Sequence, residues 1–263
     1  MKNIIVITGA SSGIGKEFAV LLDKTVKADE IWAIARRKEK LDELSSILKT
    51  PVKSISLDLS CTANVNVYAE ILRQENVNVK MLVNCSGYGK FNHYENISPE
   101  INQNMIDLNV KAVVAMTDAT LPYIGKGGKI INIASCAGFQ PIPYINIYAA
   151  TKAFVLSYTR ALNAELKYKG ISATAVCPYW TKTEFFDRAV VKDEKTVIIN
   201  YGVMYNPKKV VLKAYKDAMK GKDISVYGAT NNLQKLGAKL LPHKLVMKIW
   251  CRRQKFNGTP DIR

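Results

Sequence analysis

The stretch "TGASSGIG" at 8–15 follows an apolar run at 4–7 and opens an amphipathic stretch at 14–24. A strand that enters a helix through three closely spaced glycines leaves few architectures open. Glycine allows a tight turn and a close approach of backbone to ligand. The start of the helix offers free N–H groups and the positive end of its dipole, which suit a pyrophosphate. The spacing Gly9-x-x-x-Gly13-x-Gly15 departs from the G-x-G-x-x-G fingerprint, and a purely structural turn is the alternative. The setting decides between them. Strand-like runs at 4–7, 31–35, 52–56, 81–83, 129–134, 172–176 and 225–227 alternate with amphipathic stretches at 14–24, 38–49, 62–75, 99–124, 149–169 and 208–220. Several of the runs are continuously apolar, as expected of strands buried on both faces. This rhythm predicts an α/β chain. With right-handed crossovers it becomes a doubly wound parallel sheet of about seven strands, helices on both faces.

No linker or repeat divides the 263 residues, so 1–263 is expected to form a single domain. No apolar run approaches the roughly 18 residues of a membrane span. The apolar start at 4–7 is too short for a secretory signal and reads as a strand. Five cysteines (Cys61, Cys85, Cys136, Cys177, Cys251) form no C-x-x-C pair, and two histidines have no metal-ligand spacing. Reduced thiols in a cytoplasm and no metal are the expectation. The net charge is +16, and residues 207–263 carry 14 Lys/Arg against 3 Asp/Glu, a net +11. Nucleic-acid binding would need a reader motif, and none is visible, so no nucleic-acid partner is expected. The basic stretch at 231–263 reads as a helical extension interrupted by Pro242. It is expected to pack on the fold or on a partner chain, with peripheral contact to an anionic membrane as the alternative. The aromatic-rich segment 179–206 lacks a clear period and is expected to cover a pocket.

The second strand ends in "AIARR". NAD-selective folds place an acid there for the ribose 2′-OH. Arg36 and Arg37 suit the 2′-phosphate of NADP instead, since a guanidinium grips phosphate through two parallel hydrogen bonds. The alternative is two ordinary surface charges, badly placed at a positive helix start unless an anion is near.

Taken in order, these motifs resemble the short-chain dehydrogenases/reductases over nearly the whole chain. The resemblance implies a single-domain Rossmann fold that moves hydride between NAD(P) and an alcohol or ketone, commonly as a homo-oligomer (dimer or tetramer). It places the cofactor against Gly9, Ser11, Ser12, Gly13, Ile14 and Gly15. The adenine-contacting acid of the family is matched by Asp58, next to Leu59. "NCSG" stands for the family's N-N-A-G and brings Asn84, Ser86 and Gly87. "PYWTKT" stands for its P-G-x-x-x-T and brings Pro178, Thr181 and Thr183. The catalytic set corresponds to Asn109, Ser135, Tyr148 and Lys152. Tyr179 stands where the family has glycine.

Tyr148 and Lys152 are four apart, about one helical turn, and share a face. A neighbouring ammonium favours the phenolate and is expected to lower the phenol's pKa toward working pH. Tyr148 is then the expected general acid/base, and Ser135 the donor to the substrate oxygen. The resemblance implies that Lys152 binds the nicotinamide ribose and that Asn109 holds a water linking Lys152 to solvent. Substrate contacts are expected from Ser135, Phe139, Ile142, Tyr144, Tyr179, Trp180 and Phe185. So apolar a lining suits a large apolar alcohol or ketone. A steroid or bile acid leads, with acyl or small aliphatic ketones as the alternative. A sensor that binds NADP without turnover is the competing class, disfavoured by an intact proton donor.

Overall fold

Alternate residues of the first strand, β1 (Lys2–Thr8), point into two different cores. Ile4 and Val6 join one cluster, Ile5 and Ile7 the other, all fully buried. That is the period of two expected of a strand covered on both faces. The same split recurs along β2 (Glu30–Ala35), where Trp32 and Ile34 face one way and Ile31 and Ala33 the other. The computed structural model describes residues 1–189 and 197–256. β3 (Val52–Ser56), β4 (Val77–Asn84), β5 (Lys129–Ile133), β6 (Ser172–Val176) and β7 (Ile224–Ser225) complete a seven-stranded sheet in the order β3-β2-β1-β4-β5-β6-β7. Every neighbouring pair is parallel. The reversal of strand order between β1 and β4 opens a crevice at their carboxyl ends, where ligands of such sheets bind.

Helices α1 (Gly13–Thr25) and α2 (Lys38–Ile47) contribute Phe18, Leu22, Leu41 and Leu44 to one core. On the other face, α3 (Thr62–Gln74) buries Tyr68 and Leu72. Each large side chain fully buried this way contributes about 1.5–3 kcal/mol. The stretch at 99–124, expected as one helix, is broken. α4 (Pro99–Ile106) and α5 (Ala112–Thr120) are joined by a π-type turn at Asp107–Lys111. Such single wide turns often mark functional sites, and this one holds Asn109, fully buried. The long α6 (Asn146–Leu166) starts three residues earlier than expected and so takes Tyr148 into its first turn.

After β6 come α7 (Phe185–Ala189), α8 (Pro207–Met219), α9 (Ala229–Leu240) and α10 (His243–Gln254), the last two separated by Pro242 as its sequence position predicts. Of the expected 179–206 cover and 231–263 extension, residues 190–196 and 257–263 lie outside the described residues. α10 is tied down by buried Gln254. Its side-chain oxygen accepts from the backbone N–H of Ile199 (3.0 Å) and Asn200 (2.9 Å), and its nitrogen donates to Asn200 O (2.8 Å). Trp250 Nε1 donates to Pro143 O (3.2 Å), fastening the same helix to the segment after β5.

Candidate active site

The glycine loop sits directly over β4. Thr8 Oγ1 accepts from the N–H groups of Cys85 (2.9 Å) and Ser86 (3.0 Å), which clamps the ends of β1 and β4 together. The clamp leaves no room for a side chain at Gly9, whose φ is +65° and where a Cβ would lie 2.9 Å from the Cys85 and Ser86 backbone. A Cβ on Gly15 would come within 2.2 Å of the Gly9 carbonyl oxygen. The cap position of α1, Ser12, makes no side-chain capping bond, and no acid occupies the first turn. A tight backbone cradle at an uncapped, acid-free helix start fits a pyrophosphate.

Gly9, Ser11, Ser12, Gly13 and Ile14 line a cleft of about 760 Å³, together with Asp58, Leu59, Ser86, Gly87, Pro178, Thr181 and Thr183. Gly15 lies buried behind the loop and lets α1 approach it. Thr183 packs on the loop, 3.2 Å from where a Gly13 Cβ would be. Asn84 does not reach the cleft, contrary to expectation. It is buried between strands, its Nδ2 donating to Asn132 Oδ1 (2.9 Å) and Thr117 Oγ1 (3.1 Å). The cause is position: Asn84 still belongs to β4, paired with Asn132 of β5, and its side chain points between sheet and helix.

Arg36 and Arg37 both line the cleft. Arg36 Nη1 is 3.7 Å from Asp58 Oδ2, and Arg37 Nη2 donates to Glu184 Oε2 at 3.0 Å and Ser11 Oγ at 3.3 Å. All of these groups are about half exposed, so the ion pairs are weak enough for a phosphate to displace. Burial alone would raise the Asp58 carboxyl, but two hydrogen bonds from Ser60 and the Arg36 guanidinium hold it below the usual carboxylate range. A third guanidinium escaped sequence reasoning. Arg188 of α7 lies 4.5 Å from the Tyr88 ring centroid and lines the same cleft. Burial, then Arg36, pushes its pKa below the usual range. Only the fold brings residues 36, 37 and 188 together.

At the other end of the cleft, Ser135 follows β5 and lies beside the Tyr148 phenol, while its Oγ accepts from Ala137 N (3.1 Å). Burial raises the Tyr148 phenol well above its ordinary range, against the pull of Ser135. This reverses the expected direction. The physical reason is desolvation: Lys152 is itself buried, which lowers its ammonium to about 8, and its Nζ donates to Ile133 O (2.8 Å) while lying 5.7 Å from the Tyr148 ring centroid. Asn109 lies behind the cleft wall. Its Oδ1 accepts from Tyr88 N (3.0 Å), and its Nδ2 donates to Tyr88 O (2.8 Å) and Thr151 Oγ1 (3.1 Å). The amide thus braces the Gly87–Tyr88 backbone against α6. Gly87 fits only as glycine, since a Cβ would lie 2.8 Å from Asn109 Oδ1 and 3.4 Å from Lys152 Nζ.

Ile142, Tyr179, Trp180 and Phe185 line the cavity as expected, and Phe186 joins them. Phe139 and Tyr144 do not. Phe139 turns to a third core cluster beside Val155 and Cys177, because the short 3₁₀ turn at Cys136–Phe139 carries it away from the cleft. Tyr144 sits at φ +68° and packs on Phe256 and His93, with centroids 4.0 and 4.8 Å away. Phe91, missed in the sequence because nothing local marks it, forms an aromatic box with Tyr148 (6.3 Å), Trp180 (5.9 Å) and Phe185 (6.0 Å). Phe185 also lies 5.5 Å from the Tyr148 ring. α9 and α10 line one side of the cavity, from buried Ala238 and half-buried Val246 and Trp250 out to exposed Leu233, Leu241 and Ile249.

Sheet order, crevice and glycine cradle together define a dinucleotide-binding domain of the doubly wound type. The short chain dehydrogenase family model matches residues 3–194, and the chain belongs to that family of oxidoreductases. Among similar sequences, an uncharacterized oxidoreductase of Staphylococcus epidermidis is 32% identical over 179 residues, covering 67% of this chain and 77% of that one. A very-long-chain 3-oxoacyl-CoA reductase of Danio rerio is 36% identical over 191 residues, covering 68% of this chain and 60% of that protein. Among solved structures, a short-chain dehydrogenase from Sphingobium yanoikuyae in complex with NADPH superposes with a TM-score of 0.76 at 27% identity, covering 90% of this chain and 93% of that one.

Proposed function

We propose that the chain is an NADP(H)-dependent reductase of long apolar ketones, of the 3-oxoacyl type, with Tyr148 as proton donor. The observation that carries this is the meeting of Ser135, Tyr148 and Lys152 on one cavity whose aromatic lining continues to an aliphatic wall on α9 and α10. NADPH, when bound, supplies the hydride. The glycine loop, Asp58, Ser86, Gly87 and Thr183 would hold it, with Lys152 on its ribose, and the Arg36, Arg37 and Arg188 guanidiniums would receive its 2′-phosphate. Ser135 orients the ketone oxygen and Tyr148 delivers a proton to it. Asn109 acts through others, keeping Gly87 and α6 in register. Tyr179, Trp180 and Phe185 cover the substrate. Tyr179, in place of the family's glycine, packs edge-on to Trp180 and Tyr205 and narrows the cavity from above. A steroid shares the taste for aromatic lining. The similarity to a very-long-chain 3-oxoacyl-CoA reductase and the extended aliphatic wall favour an acyl chain.

The test is NADPH oxidation by purified protein against 3-oxoacyl thioesters of short, medium and long chain, beside keto-steroids and keto bile acids. kcat/KM rising with acyl length supports the reading. A preference for a steroid over every acyl substrate overturns it.

The phosphate assignment has its own check. Arg36→Ala should weaken NADPH binding about 10–100-fold, the weight of a charge-assisted hydrogen bond, and leave NADH binding unchanged. Equal losses for both nucleotides, measured by fluorescence titration, would remove Arg36 from 2′-phosphate recognition.

A further inference from the structure

α9 is built inside out. Its buried residues are Asn231 and Ala238, while Leu233, Leu236 and Leu240 are 70%, 52% and 69% exposed. Their spacing of three and four stacks them into one outward stripe. The stripe continues through Leu241 at the turn to Leu245 and Ile249 on α10, which are 44% and 43% exposed. Cations border it throughout. Residues 229–256 contain seven Lys/Arg and no acid. Lys239, Lys244, Lys248 and Arg252 are exposed on the same two helices. Leu233, Leu241 and Ile249 of the stripe also line the mouth of the large cavity.

We propose that the α9–α10 hairpin docks on the surface of an anionic bilayer, with the leucine stripe among the headgroups and the cavity mouth turned toward the lipid. An amphipathic helix with leucines on one face and cations at its borders lies in the interfacial plane, held by buried apolar area and by attraction to anionic headgroups. A second copy is the poorer occupant, since it would set seven cations against seven with no acid on either hairpin to pair them. No helix among the described residues is long and apolar enough to cross a membrane, so the contact is peripheral. The inference rests on this surface and not on the substrate assigned above. Were both correct, an apolar ketone could enter from the lipid without crossing water.

The full chain is sedimented with vesicles of phosphatidylcholine alone and of phosphatidylcholine containing about one-third phosphatidylserine, at low and high salt. Pelleting only with the anionic vesicles, largely reversed by salt, is expected. Leu236→Asp combined with Leu240→Asp, neither of which lines the cavity, should lower partitioning about 100-fold. Lys239→Glu should lower it about fivefold or more. NADPH affinity, unchanged in both variants, shows that they are folded. Absence of pelleting overturns the proposal, as does wild-type pelleting of the leucine variant. A dimer seen by light scattering that the leucine variant dissociates, without vesicle binding, overturns it in favour of a second copy. If the single Lys239→Glu chain alone folds, its partitioning decides.

Discussion

A Tyr148→Phe variant is expected to lose about 10²–10⁴ of kcat while binding NADPH as the parent does, the range set by removal of a positioned proton donor. The phenyl ring keeps its place. It packs against Phe91 and Phe185, with centroids 6.3 and 5.5 Å away, and neither contact involves the hydroxyl. What disappears is the hydroxyl beside Ser135, and with it the proton. The raised phenol pKa adds a pH signature. Burial holds Tyr148 protonated through the neutral range, the form needed to reduce a ketone. Alcohol oxidation needs the phenolate and should therefore quicken as pH rises into the alkaline range, while reduction stays level near neutrality. Steady-state rates in both directions across pH, for parent and variant, measure this. Substantial turnover by the phenylalanine chain would dismiss the proton role.

Lys152→Met is expected to be nearly as damaging to turnover, and it carries a stability signature of its own. The folded chain releases the Lys152 proton near pH 8, whereas an unfolded lysine keeps it to about 10.5. Between those values the unfolded state binds more protons, so stability rises with pH across that window. Below about 8 the folded protein bears the full cost of a buried ammonium, on the order of 3 kcal/mol at about 1.4 kcal/mol per unit. The methionine chain lacks this dependence. Urea unfolding from neutral pH to pH 10.5 should show the parent gaining stability on the variant by up to that amount. Parallel curves would mean that the ammonium is not desolvated. Lys152 Nζ donates to Ile133 O at 2.8 Å, so Lys152→Gln, which keeps a neutral donor, separates loss of charge from loss of that bond.

Local chemistry was legible along the chain wherever neighbours in sequence are neighbours in space. The glycine loop, the one-turn separation of Tyr148 and Lys152, the continuously apolar strands and the break at Pro242 all belong to that class. Seven parallel strands followed from the alternation of apolar runs with helical ones, because a parallel pair needs a long crossover and the crossover hand is constrained. Asn84 failed for a local reason that sequence hides: one residue more or less of strand turns a side chain from the cleft into the interior. Phe139 and Tyr144 failed likewise, one carried away by a 3₁₀ turn and the other by a left-handed backbone that proximity to Ser135 does not foretell.

Sequence by itself therefore determined the fold class and marked the glycine loop and the Tyr148–Lys152 pair, since each rests on spacings of a few residues governed by backbone geometry. Tertiary structure alone decided the environment of those residues. Burial reversed the sign of the Tyr148 shift, and a π-type turn aimed Asn109 at the Tyr88 backbone. Folding brought Arg188 beside Arg36, put Phe91 on Tyr148, and placed the leucines of α9 on the outside. Desolvation and contact depend on which distant segments meet, and a linear pattern does not encode that.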